Sequence, residues 1–164
     1  MIAVFEGNEG HIQTIVEIAE KTWRATYTTI LSTEQLDYML AAIYGTTALT
    51  NVMRNGAQQF LLLKDDQGIQ GFISFGARPE DPQVVKIHKL YVLPENHGKG
   101  YGTLLIEEVK KRMRAIGITT LDLNVNRYNP AQHFYRKLGF SVLREEDVPI
   151  GQFWMNDYVM RLEI

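Results

Sequence analysis

Asn96-His97-Gly98-Lys99-Gly100-Tyr101-Gly102 carries the densest chemical signal in this chain. Three alternate glycines remove side chains, so successive backbone N–H groups can converge on one anion. A helical pattern starts at Tyr101, and a helix start adds unpaired N–H groups and the positive end of its dipole. A pyrophosphate suits such a place. A tight, ligand-free strand-to-helix turn would use the same residues. The dinucleotide fingerprint fits less well, because it wants a third glycine where Thr103 stands. It also wants an acidic residue about 20 positions on, at the end of a strand. Asp122 has that spacing but falls inside a strand. The pattern G-x-x-x-x-G-K-[ST] is absent.

Two side chains could move protons. Tyr135 can donate one at neutral pH, since a phenol has a reference pKa of about 10; it reads equally as a core aromatic following Phe134. His88 titrates in the neutral range and stands on a strand beside Lys86 and Lys89. It reads either as a base or as a packed, hydrogen-bonded strand residue. His11 and His133 fall on surface helix positions. Glu145, Glu146 and Asp147 form a solvated charge cluster, from which a carboxylate could face an acceptor. The chain has no Cys, which excludes disulfides, thiolate zinc sites and a Cys nucleophile. No metal ligand set is expected.

The elements that position these residues read as follows. Ile2–Glu6 is a short strand, and His11–Arg24 is a helix with Ile12, Ile15, Val16 and Ala19 at helical spacing. Ser32 caps a second helix, and a third runs over Thr46–Arg54. Gln59–Lys64 and Gln70–Gly76 form a hairpin about the turn residues Asp65 to Gly68. Val84–Leu93 is a strand. Tyr101–Ile116 is the clearest helix, with Leu104, Leu105, Val109, Met113 and Ile116 on one face. Thr119–Val125 alternates as a strand, a helix follows Pro130 to about Leu138, and Ser141–Val148 and Phe153–Ile164 close the chain as strands. This order predicts an α/β protein of mixed α+β type: one domain over residues 1–164, with a mixed sheet covered by helices on both faces. A net charge of −2 gives no drive toward nucleic acid or an anionic membrane. No apolar run is long enough to span a bilayer. The start MIAVFEGNEG shows no secretory pattern, so a cytoplasmic protein is expected.

LYVLPENHGKGYGTLLI followed by LNVNRYNPAQHFYRKLGF resembles the GNAT superfamily of N-acetyltransferases over about residues 85 to 142. The first stretch matches its acyl-CoA loop and the second its strand–helix element. The resemblance implies a central, twisted, mostly antiparallel sheet in which two parallel strands splay apart. It implies acetyl-CoA as cofactor, with the pantetheine beside Leu90, Tyr91 and Val92. The pyrophosphate would lie on the backbone N–H groups of Gly98, Lys99, Gly100, Tyr101, Gly102 and Thr103, with His97 in the cofactor set at the start of the loop. Asn124, Asn129, Ala131, Phe134, Tyr135 and Lys137 complete the cofactor set, and Tyr135 would be the acid that protonates the departing thiolate. His97 stands where the family has Gln or Arg. The usual Glu base on the first splayed strand is missing, which leaves His88 as the candidate.

The resemblance also places a small-molecule amine acceptor among the N-terminal helices and closing strands. Trp23, Tyr27, Trp154 and Asp157 are the candidates there, with Tyr38, Tyr44 and Phe153 as further aromatics that read equally as core. TWRATYTTILSTEQLDYML and GQFWMNDYVM resemble the bacterial spermidine/spermine acetyltransferases, which points to a polyamine. A peptide or protein N-terminus as acceptor, and a CoA-binding regulatory domain without turnover, stay open at this stage, as does a homodimer.

Overall fold

The computed structural model describes residues 1–164. Its elements are β1 (Ala3–Glu6), α1 (Ile12–Tyr27), α2 (Thr33–Tyr44), α3 (Thr46–Arg54), β2 (Gln59–Asp65), β3 (Gly68–Arg78), β4 (Asp81–Val92), α4 (Tyr101–Ala115), β5 (Thr120–Asn126), α5 (Ala131–Lys137), β6 (Ser141–Ile150) and β7 (Phe153–Glu163). The strands make one sheet in the order β1-β2-β3-β4-β5-β7-β6. Only β4 and β5 pair in parallel; every other pair is antiparallel. No helix is long and apolar enough to cross a membrane.

Alternation along the strands builds two cores. Phe60, Leu62 and Phe72 face α1–α3, where they meet Ile15, Ala19, Trp23, Met39 and Leu49. Leu61, Leu63, Ile73 and Phe75 face α4 and pack on Leu105, Ile106, Val109 and Met113. The helix starts follow local chemistry. Asn8 and His11 exchange side-chain to backbone bonds just before α1, and the Ser32 hydroxyl accepts from Gln35 N–H at the start of α2. The hairpin turn closes as Asp65 accepts from Gln67 N–H.

The apolar face of α4 differs from the expected one. Leu104 and Ile116 are 42% and 69% exposed, while Ile106 is fully buried. The stripe centres on Leu105 and Val109, so Leu104 lies one position off it, and Ile116 falls beyond the last turn. On the other face of α4, Arg112 pairs with Glu108 and Lys110 with Glu107.

The feature that matters for function lies between β4 and β5. Their pairing runs from Val84↔Thr120 to Ile87↔Leu123 and stops, although β4 continues to Val92 and β5 to Asn126. The pairing of β3 with β4 jumps at the same level, from Ser74↔Lys89 to Phe75↔Ile87, leaving His88 as an extra residue. A bulge of this kind bends a strand and ends its pairing on the far side. Below the split, Asp122 of β5 is fully buried and clamped by Arg161 Nε at 2.6 Å, Arg161 Nη2 at 2.9 Å and Arg78 Nε at 2.9 Å. That clamp fastens β5 to β7 and to the end of β3 where the splayed strands are still joined.

Burial alone would raise the Asp122 pKa, but the two guanidinium groups outweigh it and hold the carboxyl below its ordinary 3.8. Its stabilisation is therefore complete above pH 3.8 and is lost as pH falls through the lower folded value. Asp122→Asn is expected to cost about 3 kcal/mol at pH 7, because the buried site loses the charge that pairs with the largely buried Arg78 and the partly exposed Arg161. Urea unfolding checks this, and the deficit should shrink below pH 3.

Candidate active site

The split between β4 and β5 opens as a cleft of about 140 Å³, walled by Ile87 to Val92 on one side and Leu123 to Val125 on the other. It continues into a larger cavity of about 530 Å³ lined by His97, Gly98, Gly100 to Thr103, Asn129 to Ala131 and Phe134. Leu90, Val92, His97, Asn129, Ala131 and Tyr135 line both, which makes them one continuous opening.

Its β4 wall offers unpaired main chain. Leu93 N–H bonds to Gln70 O. By antiparallel alternation, the N–H and C=O of Leu90 and Val92 then point away from β3, into the split. His97 Nε2 lies 2.9 Å from Val92 O. The imidazole that replaces the expected Gln or Arg is therefore engaged with the cleft wall.

The glycine loop is shaped to hold an anion. Gly100 caps α4 with φ +80°, a left-handed conformation that favours glycine. The first main-chain bond of α4 runs from Leu104 N–H to Gly100 O, so Tyr101, Gly102 and Thr103 have N–H groups without a helical partner. A Cβ on Gly102 would lie 3.2 Å from the Phe134 ring, so the bare residue lets the helix start rest against α5. Sequence reasoning missed Asn96. It is buried, gives a hydrogen bond to Gln70 Oε1 and receives one at 2.8 Å from Lys99 Nζ. Its place before a glycine loop was the available signal.

Tyr135 is buried with its ring edge-on to Phe134 and Phe140. Burial first, and then the Tyr91 phenol, raise its pKa above 10, so it stays protonated. Asn129 spans the opening: its Nδ2 donates to Tyr27 OH at 3.1 Å, and its Oδ1 accepts from Ala131 N–H at 2.9 Å. His88 is exposed on the cleft edge and lines it. Partial desolvation at the cleft edge first, and then the cations Lys86, Lys89 and Arg78, push its pKa down. The imidazole is neutral at pH 7, and its conjugate acid is too strong to keep a proton taken from an ammonium.

The other candidates divide. Tyr27 lines the cleft. Asp157 is buried beside Asn124, which itself lines the cleft. Trp23 lies in the α1–α3 core against Tyr27 and Tyr44 and does not reach the cleft wall. Trp154 is 58% exposed on β7, where its carbonyl takes Gln35, and is also outside the cleft. Tyr44 is core and hydrogen-bonds Tyr91 OH, while Tyr38 packs on Phe153 at the surface. Lys137 is exposed in the last turn of α5. Within the charge cluster, Glu145 and Asp147 are solvated, but Glu146 turns inward and takes Asn124 Nδ2 at 3.2 Å.

Lys89 was legible only as a strand lysine, yet it is 5% exposed. Its Nζ donates to Gln58 Oε1 at 2.7 Å and lies 5.7 and 5.9 Å from the rings of Tyr44 and Phe60. With no carboxylate in contact, burial first and Lys86 second push its pKa down to about 8.

The profile of the Acetyltransferase (GNAT) family matches residues 12–140. A spermidine N(1)-acetyltransferase of Thermoplasma acidophilum is 30% identical over 149 residues, covering 88% of this chain and 89% of that relative. The crystal structure of the PaiA N-acetyltransferase of Thermoplasma acidophilum in complex with coenzyme A superposes with a TM-score of 0.83 at 28% identity, covering 100% of this chain and 99% of that one. The ribosomal-protein-S18-alanine N-acetyltransferase of Escherichia coli shares the fold, with a TM-score of 0.74 at 16% identity over 100% of this chain and 94% of that one.

A lysine with a lowered folded pKa destabilises while charged, and this penalty vanishes as pH rises from about 8 toward 10.5. Lys89→Met should therefore be more stable than the parent at pH 7. Its advantage should shrink by on the order of 3 kcal/mol between pH 8 and 10.5. Chemical denaturation across that range measures it.

Proposed function

The chain belongs to the Acetyltransferase (GNAT) family and is an N-acetyltransferase that uses acetyl-CoA; from that premise we propose that it transfers the acetyl group directly to a primary amine of a small polyamine. The observation that carries this reading is the parting of β4 and β5 after Ile87↔Leu123, which joins the glycine loop to Tyr135 through one opening. The N–H groups of Tyr101, Gly102 and Thr103 would hold the cofactor's diphosphate. The main chain of Leu90 would pair with its amide-bearing arm as an added strand does, leaving the Val92 N–H for the reacting carbonyl. When bound, the thioester supplies the activated acetyl carbon. The Val92 N–H, aimed into the split, then stabilises charge developing on the carbonyl oxygen.

Tyr135 gives its proton to the departing sulfur. Its raised pKa keeps that proton on the phenol until the thiolate forms. Polyamine choice is supported by the kinship with the spermidine enzyme and by the acidic rim of Glu145, Glu146 and Asp147 along β6, with Asp157 buried behind it on β7. A chain amine bearing several cations is drawn to such a rim.

Thiol release from acetyl-CoA should be observed with spermidine as acceptor, and absence of turnover with spermidine and with pooled amines contradicts the reading. Tyr135→Phe should lower kcat by about 10²-fold or more while leaving calorimetric CoA affinity within about threefold. An unchanged kcat removes the phenol from the proton path.

A further inference from the structure

The pairing of β6 with β7 sets Glu146 directly opposite Asp157. Like charges placed so repel one another. The only hydrogen-bond donor shared between the two carboxylates is Asn124 Nδ2, at 3.2 Å from Glu146 Oε1 and 3.3 Å from Asp157 Oδ2. Asp157 is 7% exposed, and its Oδ1 is buried with no partner. The Asn124 Oδ1 beside it is also unpartnered, and Asn124 lines the cleft. An unsatisfied buried carboxylate oxygen is costly, and here it is kept directly behind Asn124 of the cleft wall, one side chain from an incoming donor.

No cation of the chain fills that position. Arg127 sends its guanidinium to Asp147 at 2.7 Å and to Glu145 at 3.7 Å, and gives Asp157 only a bond to its main-chain carbonyl. Lys86 is near enough to influence Asp157 but forms no ion pair with it. Tyr27 and Tyr91, which both line the cleft, feel the Asp157 charge.

We propose that Asp157, oriented by Asn124, accepts the proton of the incoming ammonium; this rests on the amine-acetylation reading above. One N–H bond of the ammonium breaks and its proton goes to Oδ1 of Asp157, leaving a neutral amine whose lone pair bonds to the acetyl carbon. The carbon–sulfur bond breaks, the sulfur takes the proton of Tyr135, and the remaining excess proton on nitrogen restores the phenol. Products are the amide, free CoA thiol and a protonated Asp157 that returns its proton to solvent.

The charge environment supports this assignment. Burial raises the Asp157 carboxyl above its ordinary value and Glu146 adds to the rise, while Asn124, Lys86 and Arg127 oppose it. His88, which lines the cleft, moves the opposite way and away from the range a base needs, and the Lys89 ammonium is turned to Gln58 and the Tyr44 and Phe60 rings.

The test compares Asp157→Asn with the parent enzyme, using acetyl-CoA with spermidine and, separately, n-butylamine. Asp157→Asn should lower kcat/KM for both amines by at least about 10²-fold at pH 7. The acidic limb of the profile should disappear, the rate should rise with the free-amine fraction, and calorimetric CoA affinity should not change. A rise in KM for spermidine alone, with kcat and the butylamine rate intact, would mean that Asp157 only binds a distal cation, and would overturn the proposal. If the parent acetylates neither amine, the amine reading fails, but the proposal still has a direct readout. The ¹³C carboxyl resonance of Asp157, identified by its loss in Asp157→Asn, should titrate above the usual carboxylate range and shift when spermidine is added to the CoA complex. Ordinary titration with no response overturns it.

Discussion

Where two parallel strands stop pairing, main-chain donors and acceptors lose their partners, and every other functional feature of this protein is arranged around that loss. The partners end at Ile87↔Leu123. Buried N–H and C=O groups are nearly always satisfied, so the free groups of Leu90 and Val92 must meet water, a side chain or a ligand. His97 already reaches Val92 O. The rest of the opening is left to whatever enters it. The extra residue at His88 supplies the local cause, since a bulge lets β4 turn away from β5 without losing β3.

Holding a sheet open requires rigid flanks. Two cores press on it from opposite faces, one carried by α1–α3 and the other by α4 and α5. Asp122 and its two arginines fix the closed end. Asn129 links α1 to the start of α5 across the open end. The two sides also differ electrically. β4 carries Lys86, Lys89 and a neutral His88, whereas β6 and β7 carry Glu146 and Asp157 behind Asn124 of the β5 wall.

Much of this was legible in the chain. The strands, the hairpin at Asp65–Gly68 and the helix from Tyr101 follow from short-range periodicity and turn chemistry, and the glycine loop from its spacing. The mixed sheet follows from the element order, and its one parallel pair is what the family resemblance implied. Long-range relations were not legible. Nothing local distinguishes Trp23, which packs in the core, from Tyr27 four residues on, which lines the cleft. Trp154 points outward and Met155 inward because neighbouring strand residues alternate, and the register of β7 decides which is which. Asp122 fitted a ribose-binding spacing, yet its two arginines occupy it fully. The facing of Glu146 and Asp157, 11 positions apart in the chain, likewise exists only once β6 and β7 are in register.

Amide hydrogen exchange with and without coenzyme A tests the central claim most directly. Binding should slow exchange at Leu90 and Val92 and through Gly98 to Thr103, with Glu145 to Asp147 on β6 unaffected. Coenzyme A that binds while the Leu90 and Val92 amides exchange as fast as before would show that the split strands do not receive it.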